Sequence, residues 1–536
     1  MKEIIKEEIY KALGQNVVLE KPKDRGLAHY ATPYAFSLAK ELKKSPKIIA
    51  DELALKFSDS KILEVSALNG YINFRVKGEF LDKISSHSLK NADKFATSKP
   101  KNSSTLIEYV SANPTGPLHI GHVRGAVYGD TLARVGRHIG ENITTEYYIN
   151  DAGNQIDLLG ISIYLVGREK LLGLEVEYPE SFYRGEYIED LAKEALDEFG
   201  EDIFKDEKSC SKLSVWGKDK MIKVIQKNLS DAHISIDNWV SEKSLYNKLE
   251  STVAKLKKCG GLYEQDGKIW INSSAVGDEK DRVVIREDTR PTYLAGDIVY
   301  HDDKFSRGFD RYINIWGADH HGYIARMKAS IHFLGYDESR LEVILAQMVS
   351  LLKNGETFKM SKRAGNFILM SDVLEEIGSD ALRLIFISKK CDTSLEFDVD
   401  ELKVEDSSNP IFYINYAHAR VNQVFGKAGK KVDDVLDANL DDLNEEAKNL
   451  LFEALILNEI LEDAFYSRQL QKIPDYLKSL SASFHKFYNE NRVVGSQNED
   501  ALLKLFAVVA LSIKTALKVI GIEAKSKMVR KSEIEE

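Results

Sequence analysis

The sequence predicts a multidomain protein with a small α/β N-terminal module, an α/β Rossmann-like central domain that carries an insertion, and an all-α C-terminal helical bundle. The first observation is a strand–turn–helix–strand pattern over residues 105–149, which is typical of nucleotide-binding parallel sheets. The second is helical periodicity from residue 408 to about residue 520, where glycine and proline are scarce. The third is a pair of β-forming segments around Asn69 and Gly70, a hairpin signal.

The composition indicates the cellular compartment and argues against some classes of binding partner. The chain has 536 residues and a formal net charge of −10, which suits several domains and argues against indiscriminate binding to nucleic acid. Cys210, Cys259 and Cys391 are widely spaced, which predicts a reducing, cytoplasmic compartment and no structural zinc. No apolar run approaches the roughly 18 residues of a membrane span, and the N-terminus lacks the apolar core of a signal peptide. We expect a monomer without a membrane partner.

The N-terminal module is predicted for residues 1–85. Apolar periodicity predicts helices over residues 4–13 and 35–56, and residues 65–75 predict the two strands of the hairpin. Residues 86–104 are polar and basic, and we expect them to form a linker to the central domain.

The central domain is predicted for residues 105–407, and its first motif lies in residues 111–122, Ser-Ala-Asn-Pro-Thr-Gly-Pro-Leu-His-Ile-Gly-His. A β-forming segment precedes the motif and a helical pattern follows it, so the motif occupies a strand-to-helix turn. Such a turn attracts anions, because the first N–H groups of a helix lack partners. His119 and His122 are three residues apart and project from one face of the first helical turn.

Two other interpretations of this histidine pair remain. It could ligate a metal, although zinc-binding helices of the His-Glu-x-x-His type place the histidines four residues apart with a glutamate between them. It could also be an ordinary helix start without a ligand. The prolines and glycine of the Asn-Pro-Thr-Gly-Pro segment fix the backbone more tightly than most turns require, which favours a binding site.

Further candidate segments follow along the central domain. Residues 150–155, Asn-Asp-Ala-Gly-Asn-Gln, end a strand where α/β sheets bind ligands, and residues 160–280 read as a charged, largely helical insertion. Tyr293 and Asp297 share one face of a predicted helix and suit a guanidinium group. A later loop carries Asp319, His320 and His321, which we interpret as nucleotide contacts. Another loop carries Lys359 and Lys362, which we interpret as a mobile cationic group for binding phosphates.

These motifs together resemble a known family. His-Ile-Gly-His at residues 119–122 and Lys-Met-Ser-Lys at residues 359–362 resemble the two signatures of class I aminoacyl-tRNA synthetases, in the order that these enzymes use. The segments beginning at Glu108, Asn150, Asp237, Gly317 and Asp380 are similar to those of arginyl-tRNA synthetases, as is the segment from Gly26 onward. The resemblance covers nearly the whole chain.

The resemblance implies an enzyme that ligates L-arginine to its tRNA in two steps through arginyl-adenylate. It would use ATP with Mg²⁺ and release AMP and pyrophosphate. The implied catalytic residues are His119, His122, Lys359 and Lys362, and the implied ATP-binding residues are Pro117, His119, Gly121, His122, Met360 and Ser361. The implied arginine contacts are Glu108, Asn113, Tyr293 and Asp297.

The resemblance also implies roles for the flanking parts. The N-terminal module would contact the tRNA elbow, residues 408–536 would form an anticodon-binding bundle with a charged tail, and arginine would be activated only with tRNA bound. Within the bundle, His485, Lys486, Tyr488 and Arg492 are candidates for gripping RNA bases. The chain departs from the family pattern at two places. Gly296 stands where the family often has arginine, and no glutamine lies near Ala318 to hold the substrate.

Three alternative functions remain at this point. Another class I aminoacyl-tRNA synthetase would share both signatures. A small-molecule nucleotidyltransferase would share the His-x-Gly-His turn, but it would need neither flanking module. A catalytically silent RNA-binding paralogue would keep the modules while losing signatures that are intact here.

Overall fold

The computed structural model describes residues 1–22, 26–357, 368–441 and 443–528. The chain divides into two compact units, of which one combines residues 1–99 with 404–468 and 472–536, and the other spans 100–403 with 469–471. The N-terminal module and the C-terminal helices therefore belong to one unit, although they lie at opposite ends of the sequence.

The N-terminal module is an antiparallel three-stranded sheet with helices. Its elements are α1 (Lys2–Leu13), β1 (Tyr30–Thr32), α2 (Tyr34–Leu42), α3 (Pro46–Ala54), β2 (Leu63–Leu68), β3 (Tyr71–Val76) and α4 (Gly78–Lys90). The predicted hairpin is present, because β2 pairs with β3 across Asn69 and Gly70, whose φ angles of 53° and 85° form the left-handed turn that tight hairpins need. The predicted linker is wrong over residues 86–90, because α4 continues through Lys90.

The central unit contains a five-stranded parallel sheet in the order β11-β10-β4-β5-β6. Its first half contains β4 (Ser104–Glu108), α5 (Ile120–His138), β5 (Asn142–Ile149), α6 (Asn154–Val166), α7 (Glu186–Phe199), α8 (Ser209–Asp231), β6 (Asn238–Ser241), α9 (Glu242–Leu245) and α10 (Leu249–Lys258). The predicted strand–turn–helix–strand unit is confirmed. Strand β4 ends at Glu108, before Val110 and Ser111, which adopt positive φ angles of 73° and 42°.

The second half of this unit completes the parallel sheet and adds two small three-stranded sheets. Its elements are β7 (Leu262–Gln265), β8 (Lys268–Ile271), β9 (Arg282–Ile285), α11 (Tyr293–Ser306), β10 (Arg311–Gly317), α12 (Ile324–Phe333), β11 (Leu341–Ala346), β12 (Val349–Lys353), β13 (Glu356–Thr357), α13 (Met370–Phe386) and β14 (Leu395–Asp398). Buried side chains of α11, α12, β4 and β10 form a continuous apolar core beneath the sheet, including Leu106, Ile298, Tyr312 and Met327.

The insertion is more divided than the sequence predicted. Helices α6, α7 and α8 pack on one another around their own apolar core, which contains Leu159, Ile188 and Leu213. Strand β6 then returns to the edge of the parallel sheet by pairing with β5. The predicted insertion over residues 160–280 therefore encloses one strand of the main sheet, which its short length hid from periodicity.

The C-terminal part is helical, as predicted. Its helices are α14 (Pro410–Ala428), α15 (Glu445–Leu455), α16 (Leu457–Tyr466), α17 (Lys472–Glu490) and α18 (Glu499–Val519). The Asn409 side chain caps α14, and Pro410 occupies its first turn. The prediction that His485 grips RNA is wrong, because its buried ring packs against Tyr413 and Tyr416. No helix in the described ranges is both long and apolar enough to cross a membrane.

The N-terminal module packs on these helices within the same unit. The His29 ring stacks on Phe452 at 3.8 Å, and the Tyr30 hydroxyl donates a 2.5 Å hydrogen bond to Glu459. The buried Lys504 ammonium bonds to Asp82 of α4 at 2.5 Å. Buried rings and charged hydrogen bonds thus join the two ends of the chain into one body.

Candidate active site

His119 and His122 begin α5 in a reciprocal cap. The His119 Nδ1 atom accepts a hydrogen bond from the Gly121 N–H at 3.2 Å, and His122 Nδ1 accepts one from the His119 N–H at 3.4 Å. The ring centroids lie 3.8 Å apart, so both histidines occupy one face, as predicted. Because each Nδ1 accepts a hydrogen bond, each neutral ring carries its proton on Nε2.

Burial keeps both imidazoles neutral. It lowers the pKa of His119, and burial together with the neighbouring His119 lowers the pKa of His122 to about 3. At neutral pH the pair therefore offers two N–H donors and no positive charge. The pair can hydrogen-bond a phosphate, but neutralising its charge needs other groups.

Gly121 is fixed by this arrangement. A Cβ atom at this position would lie 3.0 Å from His119 Cε1, so a larger residue would displace the capping ring. Pro117 and Leu118 lead into the cap, and the Leu118 N–H donates to the Asn228 side chain of α8 at 3.2 Å. The insertion thus supports the turn from the side of α8.

The chain returns to the turn immediately after the second signature. The Ile120 N–H donates to the Ile368 carbonyl at 2.9 Å, and the Met370 N–H donates to the Leu118 carbonyl at 2.9 Å. Before the second signature in the sequence, strand β13 ends at Thr357. The predicted hook residues Lys359, Met360, Ser361 and Lys362 lie outside the described residues.

A cavity of about 320 Å³ lies beside the first turn of α11. Tyr293 begins this helix, and Asp297 follows one turn later, so the predicted helical spacing is confirmed. The Tyr293 ring is half exposed and faces Gly153 of the loop after β5. The cavity walls comprise Ala152, Gly153, Asn154, Glu242, Tyr246, Leu249, Arg286, Arg290, Pro291, Thr292, Tyr293, Gly296 and Val299.

Glu242 in the cavity wall and Asp297, which follows the wall residue Gly296, have perturbed acidity. Burial, with the charges of Asp297 and Asp151, raises the pKa of Glu242 to about 7. Burial also raises the pKa of Asp297 to about 6, with Glu108 adding to the shift and the Tyr323 hydroxyl and Arg326 opposing it. The Glu242 Oε2 atom is buried and accepts no hydrogen bond from the described residues. Such a pair suits a cationic ligand with several donors.

Glu108 lies at the end of β4 and is held from within the protein. Its Oε2 accepts a 2.6 Å hydrogen bond from the ammonium of Lys304, which is 0 % exposed, and its Oε1 accepts one from the Ser111 hydroxyl at 2.9 Å. Lys304 also donates to Asn314 at 2.7 Å, and Asn314 contacts the His301 ring. The negative charge of Glu108 is therefore paired, in contrast to that of Glu242.

Asn113 joins the motif to the loop after β5. Its side-chain amide donates a 2.5 Å hydrogen bond to the Gln155 side-chain oxygen. This contact brings the segment at residues 150–155 beside the turn, as expected for loops at the carboxyl edge of a parallel sheet.

The insertion also reaches the turn with aromatic side chains. Tyr183 hydrogen-bonds to Thr115, and its backbone N–H donates to Ser162 of α6 at 2.9 Å. A Cβ atom at Gly116 would lie 3.3 Å from the Tyr187 hydroxyl. Two tyrosines of the insertion thus touch two successive residues of the motif.

Sequence reasoning missed Glu242 as a site residue. The segment from Asp237 to Glu242 was noted for its resemblance, but its place in the pocket depends on the pairing of β6 with β5. Asp319, His320 and His321 are exposed, and Asp319 lies 3.6 Å from the His320 ring nitrogen. Within the described ranges, no group of three or more histidine, cysteine, aspartate or glutamate side chains is placed to hold a metal ion.

Three family models match the chain. They are the arginyl-tRNA synthetase N-terminal domain over residues 1–76, the catalytic domain of class I (R) tRNA synthetases over residues 84–425, and the DALR anticodon-binding domain over residues 414–528. Together they span both flanking parts and the central domain.

Similar proteins are named arginine–tRNA ligases or arginyl-tRNA synthetases. An arginine–tRNA ligase of Campylobacter curvus is 70% identical over 529 residues, covering 98% of this chain and 100% of the relative, and one of Campylobacter jejuni is 64% identical over the same shares. A putative arginyl-tRNA synthetase structure from C. jejuni aligns with a TM-score of 0.83 at 63% identity, covering 84% of this chain and 100% of that one. The Thermus thermophilus arginyl-tRNA synthetase shares the fold, with a TM-score of 0.77 at 20% identity over 98% of this chain and 100% of that one.

Proposed function

This chain belongs to the arginyl-tRNA synthetase family, and we propose that the His119 turn and the cavity beside α11 together form its active site. The protein is an arginine–tRNA ligase of class I, which uses ATP to activate L-arginine and then transfers it to tRNA. The observation that carries the site proposal is that Glu242 lines the cavity with the rings of Tyr246 and Tyr293, while the neighbouring charge of Asp297 helps to raise the pKa of Glu242.

The guanidinium group of arginine would bind between Glu242 and Asp297. Its planar N–H donors match carboxylate oxygens, and the Tyr293 ring at the cavity wall offers a face for stacking. Binding the cation would favour the ionised form of both acids and relieve the cost of placing two carboxylates together. Glu108 and Asn113 would then hold the backbone end of arginine or the loop at Gln155, since each already joins segments around the turn.

ATP would lie along the His119 turn. Pro117, Gly121 and the N-terminus of α5 would accept the adenylate, and the neutral Nε2–H groups of His119 and His122 would donate to its phosphates. The arginine carboxylate attacks the α-phosphorus, the bond to the β-phosphate oxygen breaks, and pyrophosphate leaves. Because the histidines are uncharged, Lys359 and Lys362, with Met360 and Ser361 between them, would supply the positive charge for the leaving group.

Mg²⁺ would enter with the phosphates of ATP and add to that charge. The transfer step needs no protein nucleophile, since a ribose hydroxyl of the tRNA terminus attacks the arginyl carbonyl and AMP leaves. Positioning and charge complementarity would supply most of the acceleration. We place the enzyme in the cytoplasm because its three cysteines are free thiols, and we propose that it acts as a monomer.

The test is Asp297→Asn, which keeps the shape of the side chain and removes its charge. We expect the KM for arginine to rise at least about thirtyfold, the lower end for removing one partner of a buried charge pair, while the KM for ATP stays unchanged. Asp302→Asn on the same helix is the matched control, because Asp302 bonds to Lys255 and Tyr336 away from the cavity. A rise in the KM for ATP instead would assign Asp297 to the nucleotide site.

A further inference from the structure

Tyr323 lies directly behind the pocket that we propose for arginine. It ends the short 3-10 helix Ala318–Tyr323 between β10 and α12, and its hydroxyl donates a hydrogen bond to Asp297 Oδ2. Burial and the adjacent Asp297 raise the pKa of Tyr323 far above its ordinary value, so the phenol stays protonated and remains a donor throughout the working pH range.

Tyr323 packs against the cationic side chain of Arg326, which in turn lies close to the buried carboxylate of Asp278. The Arg326 guanidinium carbon lies 4.8 Å from the centre of the Tyr323 ring, and Trp316 packs against the edge of that ring at 6.0 Å. Arg326 Nε lies 3.7 Å from Asp278 Oδ2, and Arg282 Nε lies 3.6 Å from the same oxygen. Asp278 is itself fixed by the Ser273 hydroxyl at 2.9 Å.

These contacts form a continuous series from Asp278 through Arg326 and Tyr323 to Asp297. Asp278 and Arg282 belong to the segment before and within β9, whereas Asp297 lies on α11. The series therefore adds a side-chain connection between two elements that also meet through the hydrogen bonds of Thr292 to Val283 and Val284. Of these four residues, only Asp297 would contact the substrate, and the other three would act through it.

We propose that Tyr323 is a positioning residue for arginine recognition, holding one oxygen of Asp297 so that the guanidinium meets the carboxylate in a single orientation. The inference rests on the proposed role of Asp297 in binding arginine. It assigns part of the selectivity for a planar cation over an ammonium group to the hydrogen-bonded residues behind the pocket, in addition to the pocket wall.

The pH dependence depends on every charged group around Asp297. The hydroxyl of Tyr323 and the charge of Arg326 favour the carboxylate form, and Glu108 opposes it. Further facing groups are Glu242 on α9 and Tyr148 on β5, while the His301 ring on α11 is kept neutral because burial lowers its pKa to about 3. Loss of the Tyr323 hydroxyl removes one group that favours ionisation, so Asp297 would titrate at higher pH.

The experiment is Tyr323→Phe, which keeps the ring against Trp316 and Arg326 and deletes the donor. At pH 7 we expect the KM for arginine to rise roughly ten- to a hundredfold, the range for losing a hydrogen bond to a charged group, with kcat and the KM for ATP little changed. The defect should shrink as the pH is raised to 8.5, because Asp297 then ionises without the donor. The arginine-dependent rise in Tm, measured over the same pH range, gives a readout that is independent of turnover.

Tyr336→Phe is the matched control. The Tyr336 hydroxyl donates to Asp302 at 2.8 Å, which is the same kind of bond on the same helix but away from the cavity. A Tyr323→Phe enzyme with the KM and pH profile of the control would overturn the inference, provided that Asp297→Asn raises the KM for arginine. If Asp297→Asn leaves that KM unchanged, the proposed function of the pocket fails and the inference fails with it.

Discussion

At the scale of single residues, burial and mutual repulsion make it costly in free energy to ionise Glu242 and Asp297. A bound cation would reduce that cost. The pKa values of Glu242 and Asp297 are raised to about 7 and about 6. Each acid therefore adds most to the free energy of unfolding when the pH is below the ordinary pKa of a carboxyl group. That contribution is lost as the pH rises through 6 and 7. The protein without arginine is therefore under greatest electrostatic strain at the pH where arginine binds best.

The first consequence is a pH-dependent stabilisation by arginine. The arginine-induced shift in Tm should grow from pH 5.5 to pH 8, because the ionised acids bind the guanidinium and the protonated acids do not. The affinity should change by up to about tenfold per pH unit for each acid that titrates. Glu242→Gln should weaken binding and flatten the part of the curve near pH 7. A shift in Tm that is equal at pH 5.5 and pH 8 would contradict this account.

A second residue-scale prediction concerns Gly296. A Cβ atom at this position would lie 2.4 Å from Glu242 Oε1, so Gly296→Ala must displace the carboxylate. We expect the KM for arginine to rise by up to about a hundredfold, the cost of a misplacement of roughly 1 Å in a binding group. Gly322→Ala, whose added Cβ would meet no atom within 4 Å, is the control. Equal kinetics for the two variants would show that the position of Glu242 is unimportant.

The departure at Gly296 also shows what the sequence could and could not predict. The sequence identified Tyr293 and Asp297 from a helical spacing, because both residues lie on one continuous helix. It did not identify the contact between Gly296 and Glu242, because these residues meet only after β6 has paired with β5 across the insertion. Local periodicity carries no information about such a pairing, whereas it fully determines the spacing of residues along a helix.

At the scale of elements, the two signatures are connected through backbone hydrogen bonds. Ile368 and Met370, which follow the second signature, bond to Ile120 and Leu118 of the first. Ile368 and Met370 are thereby fixed at the turn that we propose for phosphate binding. This connection explains why the order of the motifs in the sequence was informative, since the chain must return to the turn after the second one.

Lys362→Ala tests the contribution of that segment. It should lower the rate of arginine activation by roughly 10²–10³-fold, the usual effect of losing one contact to developing charge, with little change in the KM for arginine. The physical reason is that His119 and His122 are neutral and cannot replace the lost cation. Lys389→Ala on the exposed surface is the control. Wild-type turnover by the Lys362 variant would remove the lysine from the mechanism.

The elements that sequence analysis placed least well are those whose ends depend on nonlocal contacts. Helix α4 runs into the predicted linker because its Ser86 hydroxyl bonds to the Leu436 carbonyl and its Asp82 to Lys504. Likewise, His485 was expected to face RNA, but packing against α14 buries it. In each case a polar residue that suggested solvent exposure found its partner far away in the chain.

At the scale of the whole molecule, the N-terminal module and the C-terminal helices, for which the resemblance implies contacts with tRNA, form one compact unit. The N-terminal module packs on the C-terminal helices through His29 and Phe452, Tyr30 and Glu459, and Lys504 and Asp82. Removing residues 408–536 would therefore expose the apolar partner surface of the module as well as delete the bundle. The intact chain is the proper material for testing whether tRNA promotes activation.

The most direct test of the account is ATP–pyrophosphate exchange by the intact chain, measured with arginine, lysine and citrulline, each with and without arginine-acceptor tRNA. Lysine offers a cation without the planar donors, and citrulline offers a planar group without the charge, so both should fail at a pocket built from Glu242 and Asp297. The account predicts rapid exchange with arginine and tRNA together, and background exchange with either analogue. Exchange with lysine or citrulline at a rate comparable to that with arginine would contradict it.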